Sequence, residues 1–278
     1  MSNKIEKALA INGAEDIEKA ADRVYYGNEF CENLLPDISV LKRVYCAARA
    51  RGKPFTFVTP YVTNTGMRKL ECLLDFLDGR HSVEVVFNDW GVLRAIKDQY
   101  PHLRPVLGRL LTKQRRDPRM ARIFSGRQGY REVTSPDKKA KTILFARKAP
   151  PELFKHYQAS VINLPVFQEY LLSQGVNRVE IDNLAWEMDI KVDRKIGVSI
   201  HLPYGYVTTT RMCGKLTLSY AACKKECHRY LLRLDGGTLP VPFYAQGNAI
   251  FYKTEAPSEK YLEESGIDRI VYQSRLPV

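Results

Sequence analysis

The sequence lacks the long apolar runs that membrane-crossing segments need. No stretch of its 278 residues approaches about 18 consecutive apolar side chains. The first residues, MSNKIEKALAIN, also lack the positive-then-apolar order of a secretory signal peptide. We therefore expect a cytoplasmic protein with no membrane span.

Several familiar catalytic signatures are missing as well. The chain contains no G-x-S-x-G elbow, no H-E-x-x-H pair and no Walker loop. The residues around the first cysteine, GNEFCEN, do not match a cysteine-protease signature. We therefore do not expect peptidase activity.

Cysteine is scarce, and its distribution is uneven. Six cysteines in a chain of this length cannot form a disulfide-built scaffold, and a reducing compartment favours metal-binding or free thiols. Cys213, Cys223 and Cys227 follow the spacing C-x9-C-x3-C, and Cys31 ends the distant run VYYGNEFC. Four thiolates from two segments are what a [4Fe–4S] cluster requires. A zinc site or plain structural thiols are the alternatives.

The surroundings of the cysteines favour this interpretation. Basic residues flank the late trio and should lower the pKa of its thiols: Arg211, Lys215, Lys224, Lys225 and Arg229. His228 is a possible substitute ligand. Cys46 and Cys72 stand among Leu, Val and Ala at helical spacing, so we expect both in the core.

Strand-like and helix-like segments alternate through most of the chain. Runs such as PFTFVTPYV and SVEVVFND are each followed by an amphipathic helical pattern, and seven or eight such units can be counted. This predicts one domain over residues 1–278 with an α/β fold of the (β/α)8 TIM-barrel type, complete, incomplete or distorted. A late β-hairpin is expected around YLLRLDGGTLPVPFYAQGNAIFYKT, with Gly236-Gly237 at its turn.

One basic segment interrupts this alternation. Residues 112–150 are polar, with Gly and Pro throughout, and predict an insertion or long loop. From position 104 to 148 there are fourteen Lys and Arg but three acids, an excess of +11 within a net charge of +12. This indicates RNA or another anionic partner, which charge reversal at Arg115, Arg116 and Arg119 should weaken. A solvated basic face is the alternative.

Polar residues stand at the ends of several predicted strands, where a barrel would present them at its mouth beside the cysteines. The candidates for catalysis are Arg109, His201 and Tyr204. The candidates for substrate binding are Asn88, Asp89, Asp182 and Arg211. A guanidinium can hold an anion through two hydrogen bonds, and an imidazole can transfer protons near neutral pH. Each residue is otherwise a structural cap of its strand.

The chain resembles the peptidase U32 family. The resemblance lies in VYYGNEFC with Cys31, in the later lone Cys213 and in the Cys223-x3-Cys227 pair. VVFNDWGVL, PVLGRLL and the tail IDRIVYQSRLP add to it. Within the family, the layout is most similar to the accessory proteins of oxygen-independent ubiquinone biosynthesis. The basic segment and the nine-residue gap between Cys213 and Cys223 depart from that pattern.

The resemblance implies a barrel with a [4Fe–4S] cluster held by Cys31, Cys213, Cys223 and Cys227. It implies a part in hydroxylation without molecular oxygen, on a quinone precursor or on RNA, with the cluster as an electron-transfer or activating centre. A partner subunit of the same family is also implied. The alternatives are an RNA-modifying or RNA-binding protein that uses residues 104–148, and a non-catalytic scaffold with a structural cluster or zinc.

Overall fold

Short apolar strands and amphipathic helices alternate along the first part of the chain. A computed structural model describes residues 5–80, 82–126, 129–146, 148–211, 213, 223–236, 239 and 241–277. The first strands are β1 (Glu6–Ile11), β2 (Arg23–Gly27), β3 (Phe55–Val58), β4 (Glu84–Phe87) and β5 (Arg104–Leu107). The helices between them are α1 (Ile38–Ala50), α2 (Asn64–Asp78) and α3 (Trp90–Gln99).

The second part of the chain is less regular. Its helices are α4 (Met120–Ser125), α5 (Pro151–Gln158), α6 (Pro165–Ser173) and α7 (Glu259–Glu264). Its strands are β6 (Gly129–Thr134), β7 (Lys141–Ala146), β8 (Arg178–Asp182), β9 (Gly197–Leu202), β10 (Tyr204–Thr209), β11 (Leu232–Leu234), β12 (Phe243–Gln246), β13 (Ala249–Lys253) and β14 (Ile267–Gln273). No helix in these described ranges is long and apolar enough to cross a membrane.

Eight parallel strands close into a barrel in the order β1-β2-β3-β4-β5-β8-β9-β14, with β14 pairing back onto β1. This confirms the predicted (β/α)8 type of fold. The joints differ in extent, because β8 and β9 share five residue pairs whereas β5 and β8 share one, Leu107 with Val179. The chain between β5 and β8 contains the basic segment, so the departure from regular alternation falls at the weakest joint.

Two connections lack the helix that the repeating unit would supply. The run AEDIEKAADR after β1 has a helical pattern of side chains but forms only the 3-10 turn Ala14–Asp16. No helix is assigned between β8 and β9, where residues 183–196 are all described. The barrel is therefore closed in its sheet but distorted in its outer layer.

The predicted insertion is structured in part. It contains α4 and the two-stranded antiparallel sheet β6-β7, rather than a plain loop. Phe124 of α4 holds it to the body through edge-to-face contacts with Phe154, Tyr157 and Trp186, at centroid distances of 4.8, 5.3 and 5.7 Å. Aromatic contacts at these distances fix the segment beside the barrel.

The predicted late hairpin is present as part of a larger sheet. β10, β13, β12 and β11 form a four-stranded antiparallel sheet in that order. β11 and β12 pair as an antiparallel hairpin, and residues 235–242 between them contain the predicted Gly236-Gly237. A second, tighter turn joins β12 to β13 at Gly247, whose φ of +59° suits glycine. Gly237 lies outside the described residues.

Cys46 and Cys72 are exposed, so the prediction that they belong to the core is wrong. The buried face of α1 is formed by Leu41, Val44, Tyr45 and Ala48, and that of α2 by Gly66, Leu70, Leu73, Leu74 and Leu77. Each cysteine falls beside that apolar stripe rather than on it. The nearby Leu and Val residues therefore do not enclose these two thiols.

The barrel interior has an apolar middle layer and an ionic layer at the amino end of its strands. The apolar layer consists of Ala8, Tyr25, Val58, Val86, Val106 and Val271. Below it, Arg269 contacts Glu84 at 2.7 Å and Glu6 at 2.5 Å. Burial acts to raise the pKa of Glu84, but the hydrogen bonds and charge of Arg269 and the charge of Arg23 lower it to about 2. This network holds β1, β2, β4 and β14 together across the barrel.

Replacing Arg269 by Met should lower the free energy of unfolding by about 3 kcal/mol, the lower end of the cost of breaking a buried ion pair, because Arg23 still reaches both carboxylates. Arg94→Met is the matched control, since Arg94 is exposed and pairs only along its own helix with Asp98. Its effect should stay below about 1 kcal/mol. Urea denaturation followed by circular dichroism measures both variants. Equal losses would contradict a special role for the interior network.

Candidate functional site

The loop after β2 positions Cys31 at the carboxyl end of the barrel. Gly27 has a φ of +136°, and a Cβ there would lie 2.1 Å from the carbonyl oxygen of Val58, so only glycine fits. The chain then turns around Asn28, whose Oδ1 accepts hydrogen bonds from the backbone N–H of Phe30 at 3.0 Å and of Cys31 at 2.8 Å. Cys31 is therefore held by the backbone of a tight turn.

A buried ionic network lies beneath this loop. Arg109 is fully buried, and its guanidinium contacts the carboxylates of Glu29 and Asp182, each at 2.8 Å. Arg116 contacts the second oxygen of Asp182 at 2.7 Å. Burial acts to lower the pKa of Arg109, but the charges of Glu29 and Asp182 outweigh it and raise that pKa above its usual value. Two carboxylates and two guanidiniums thus balance one another inside the molecule.

This network changes what Arg109 and Asp182 can do. An anionic substrate would have to displace Glu29 or Asp182 to reach the Arg109 guanidinium, which also donates to the backbone oxygen of Tyr204 at 3.0 Å. Asp182 is likewise occupied by Arg109, Arg116 and, at 3.3 Å, the backbone N–H of Tyr206. Both sequence-predicted residues lie at the site, where they form its framework.

The antiparallel sheet packs onto the Cys31 loop through aromatic contacts. Phe30 is fully buried and meets Phe251 and Tyr206 edge to face, at centroid distances of 5.1 and 5.4 Å. The Arg116 guanidinium lies 4.1 Å from the centroid of the Tyr206 ring. The sheet therefore covers part of the carboxyl end of the barrel.

The turn between β12 and β13 ties the thiol-bearing segments together. Asn248 Nδ2 donates to the backbone oxygen of Phe30 at 2.6 Å and also to that of Thr210, and the Tyr61 hydroxyl donates to Thr210 as well. On the other side of Gly247, Gln246 Nε2 donates to the backbone oxygen of Cys227 at 3.4 Å. One short turn thus reaches the neighbour of Cys31, the segment just before Cys213, and Cys227 itself.

The four predicted ligand thiols are all half-buried. Burial raises the pKa of Cys31, and the nearby Cys223 and Cys213 add to this. Burial likewise raises the pKa of Cys227, with further contributions from Cys31, Cys213 and Cys223. The sequence predicted a lowered pKa for the late trio of thiols, but the pKa of Cys227 is raised, because burial and repulsion from the other thiolates dominate.

These interactions place the four thiols within electrostatic range of one another. Even so, no group of three or more His, Cys, Asp or Glu side chains in the described part of the chain is arranged to hold a metal ion. The segment 214–222 between Cys213 and Cys223 lies outside the described residues. The sulfur-bearing segments therefore lie in one region, but their described side chains are not arranged in metal-binding geometry.

A cavity of about 800 Å³ opens beside Cys227, at the carboxyl end of the barrel. Gly27 and Asn28 line it from the Cys31 loop, and Gln246 lines it from the sheet. Tyr204, one of the residues that the sequence suggested for catalysis, also lies in the wall of this cavity. A small adjoining cavity of about 60 Å³ shares part of this wall and extends into the barrel as far as His201.

His201 and Glu180 form a buried pair inside the barrel. His201 Nε2 lies 3.0 Å from Glu180 Oε2, and the edge of the imidazole faces the Tyr25 ring at a centroid distance of 6.3 Å. Gln273 Nε2 lies 3.4 Å from His201 Nδ1. The small cavity reaches this pair, with His201 and Gln273 in its wall.

The remaining predicted residues have mixed placements. Asn88 is buried, donates to the backbone oxygen of Thr59 at 2.9 Å and accepts from the backbone N–H of Leu110, so it joins adjacent loops. Asp89 caps α3 by accepting from the backbone N–H of Gly91 at 2.7 Å. Arg211 is exposed, with its guanidinium 5.5 Å from the centroid of the Tyr61 ring and near the thiols.

No sequence pattern identified four residues of the site: Asn28, Tyr61, Gln246 and Asn248. The Gln-Gly-Asn order at positions 246–248 does signal a turn. No local pattern shows that Asn248 contacts the backbone of Phe30, which lies 218 positions away.

Similarity to known proteins is found for this chain among solved structures, at low sequence identity. No protein-family profile matches it, and no curated protein matches it. Among solved structures it is similar to the U32 peptidase Mk0906, with 10% identity, 99% of this chain and 95% of that chain covered, and a TM-score of 0.45. It is also similar to TsES1, an immunomodulatory active chitinase from Trichuris suis, with 10% identity, coverage of 97% and 91%, and a TM-score of 0.37. Similarity at this level assigns neither a family nor an activity.

Proximity of the thiols can be tested by mild oxidation. In a Cys46→Ser/Cys72→Ser background, copper–phenanthroline should link Cys31 by a disulfide to Cys213, Cys223 or Cys227. Such a bond forms only where the two Cα atoms come within about 7 Å, so the link reports proximity. Peptide mapping by mass spectrometry identifies the pair. Modification of Cys31 without any link to the late cysteines would contradict the convergence.

The same assay tests the β12–β13 turn. Asn248→Ala in that background should lower the yield of the disulfide, because it removes the hydrogen bonds to the backbone of Phe30 and Thr210. Asn177→Ala, at an exposed asparagine next to the amino end of β8, is the matched control and should leave the yield unchanged.

Proposed function

We propose that the chain is an iron–sulfur protein of the peptidase U32 type, similar to the accessory proteins of oxygen-independent ubiquinone biosynthesis, and that it takes part in a hydroxylation without molecular oxygen. The supporting observation is the turn between β12 and β13, which binds the segments of Cys31, Cys213 and Cys227 through Gln246 and Asn248. A fold gains little from tying three sulfur-bearing segments together unless the sulfurs are used together.

The donor set suits an iron–sulfur cluster. Cys31, Cys213, Cys223 and Cys227 would hold it, and four thiolates with no carboxylate among them match the ligand preference of such clusters. All four are half-buried, so water is partly excluded. When bound, the cluster would supply one-electron transfer. The same four thiolates also suit zinc, so metal identity is what an experiment has to decide.

The chain's own residues supply the other parts of the site. The cavity beside Cys227 would hold the substrate, with Tyr204 in its wall. His201, reached through the small cavity, would accept or release a proton at Nδ1, while Glu180 at Nε2 keeps the imidazole oriented. Arg109 fixes the surrounding loops. Arg211, close to the thiols and exposed, would attract anionic groups.

Anaerobically purified protein should contain about four iron and four sulfide per chain, with broad visible absorption that bleaches on reduction. Cys223→Ser should lower the iron content, because it removes a thiolate ligand. Cys46→Ser and Cys72→Ser are matched controls at exposed thiols and should leave it unchanged. Zinc in place of iron would indicate a structural metal site, and protein without any metal would overturn the proposal.

A second candidate function is RNA binding through the basic segment. Lys138, Lys139 and Lys141 are exposed at and beside the turn of the β6-β7 hairpin. The arginines predicted to bind RNA are committed elsewhere. Arg116 is buried against Asp182, Arg115 donates to the backbone oxygen of Ala159, and Arg119 pairs with Asp117 at 2.7 Å. The hairpin lysines are therefore the better phosphate contacts.

Reversing the three hairpin lysines to Glu should lower RNA affinity by about tenfold or more near 100 mM salt and should flatten the salt dependence. The control reverses three exposed lysines away from the hairpin, Lys19, Lys69 and Lys97, with the same change in net charge. Fluorescence anisotropy with a labelled single-stranded RNA measures both. Equal effects of the two triple variants would show that only overall charge matters.

A further inference from the structure

The cavity beside Cys227 has the size of a small-molecule site. Its volume of about 800 Å³ falls within the range of roughly 300–1,000 Å³ that is typical of ligand pockets. Its walls come from the loops that follow β1, β2 and β14, from the sheet strands β12 and β13, and from the segment around Cys227. Several segments that are distant in the sequence therefore converge on this one cavity.

The charged side chains that line this cavity are basic. Lys225, Lys253 and Arg275 line the cavity beside the imidazole of His228, and none of the described lining residues is acidic. Arg275 forms a long ion pair with Asp16, with Nη2 lying 3.9 Å from Oδ1. A concave wall with several cations and no compensating carboxylate focuses a positive potential inward. Such a potential favours the binding of an anionic group.

Its apolar part is aromatic. Tyr26, Tyr204 and Tyr244 contribute to the wall, together with Leu34, Leu231 and Leu276. Burial raises the pKa of Tyr26, so its hydroxyl stays neutral near pH 7 and adds no opposing charge. Ring faces next to leucine side chains favour a flat, apolar body.

We propose that this cavity binds a small molecule made of an aromatic ring system that carries a carboxylate or phosphate group. The rings lie between the tyrosines, and the anionic group meets Lys253 and Arg275. This ligand class is the substrate class of the site described under the proposed function, on which the inference rests. Ligand binding itself needs no metal and can be measured separately.

A pair of fluorescent probes separates the charge from the rings. 8-Anilinonaphthalene-1-sulfonate carries an anionic group, and N-phenyl-1-naphthylamine has the same rings without it. The double variant Lys253→Met/Arg275→Met should weaken binding of the sulfonate by about tenfold, the equivalent of one charge-assisted hydrogen bond, and leave the neutral probe within about twofold. Both side chains reach solvent, so the variant should fold, and thermal unfolding checks this.

The control replaces two exposed cations outside the cavity, Lys69→Met/Arg94→Met, and should change neither probe. Benzoate and phenyl phosphate then compete for the bound sulfonate. The better competitor identifies the anionic group, and benzyl alcohol should not compete.

Sulfonate binding that is unchanged in the Lys253→Met/Arg275→Met variant, or equal weakening of both probes, would overturn the inference. Both measurements use the full chain with and without bound metal. If anaerobically purified protein contains no iron but binds the sulfonate through Lys253 and Arg275, the iron–sulfur proposal fails and the ligand class stands. Iron-loaded protein that ignores the charge of the probe would do the reverse.

Discussion

The structure around the carboxyl end of the barrel depends on one shared carboxylate. Asp182, at the end of β8, faces the guanidiniums of Arg109 and Arg116, and Arg109 in turn faces Glu29 beside the Cys31 loop. Removing one member would leave an uncompensated charge in the interior, which is more costly than never burying the pair. The position of Cys31, the start of the basic segment and the placement of the antiparallel sheet all follow from this balance.

On that framework the fold brings together parts that are distant in the sequence. The β12–β13 turn holds the sulfur-bearing segments, the large cavity opens next to Cys227, and the small cavity continues from it to His201. A ligand in the large cavity would therefore lie between a region of thiols and a buried imidazole–carboxylate pair. The proposed function rests on this spatial order of thiols, cavity and imidazole.

The sequence predicted the barrel because strand and helix periodicities are local, and barrel topology then places every strand end on one face. It failed where a contact decides the outcome. Cys46 and Cys72 share their neighbours' helical pattern but fall beside the buried stripe. Local sequence also leaves open which groups Arg109 contacts, and the structure places Glu29 and Asp182 of the same chain against its guanidinium. The partners of Asn248 are set by tertiary packing, which no pattern in the sequence encodes.

The single residue pair between β5 and β8 has a consequence for how the barrel forms and opens. Seven of the eight joints have a ladder of several pairs, whereas this one rests on Leu107 and Val179. Its two strands are also separated by the whole basic segment, so closing it costs more chain entropy than closing joints between neighbouring units. We therefore expect the β5–β8 joint to form last when the barrel folds and to open first in the native state. Amide protons at this joint would exchange ahead of those elsewhere in the barrel.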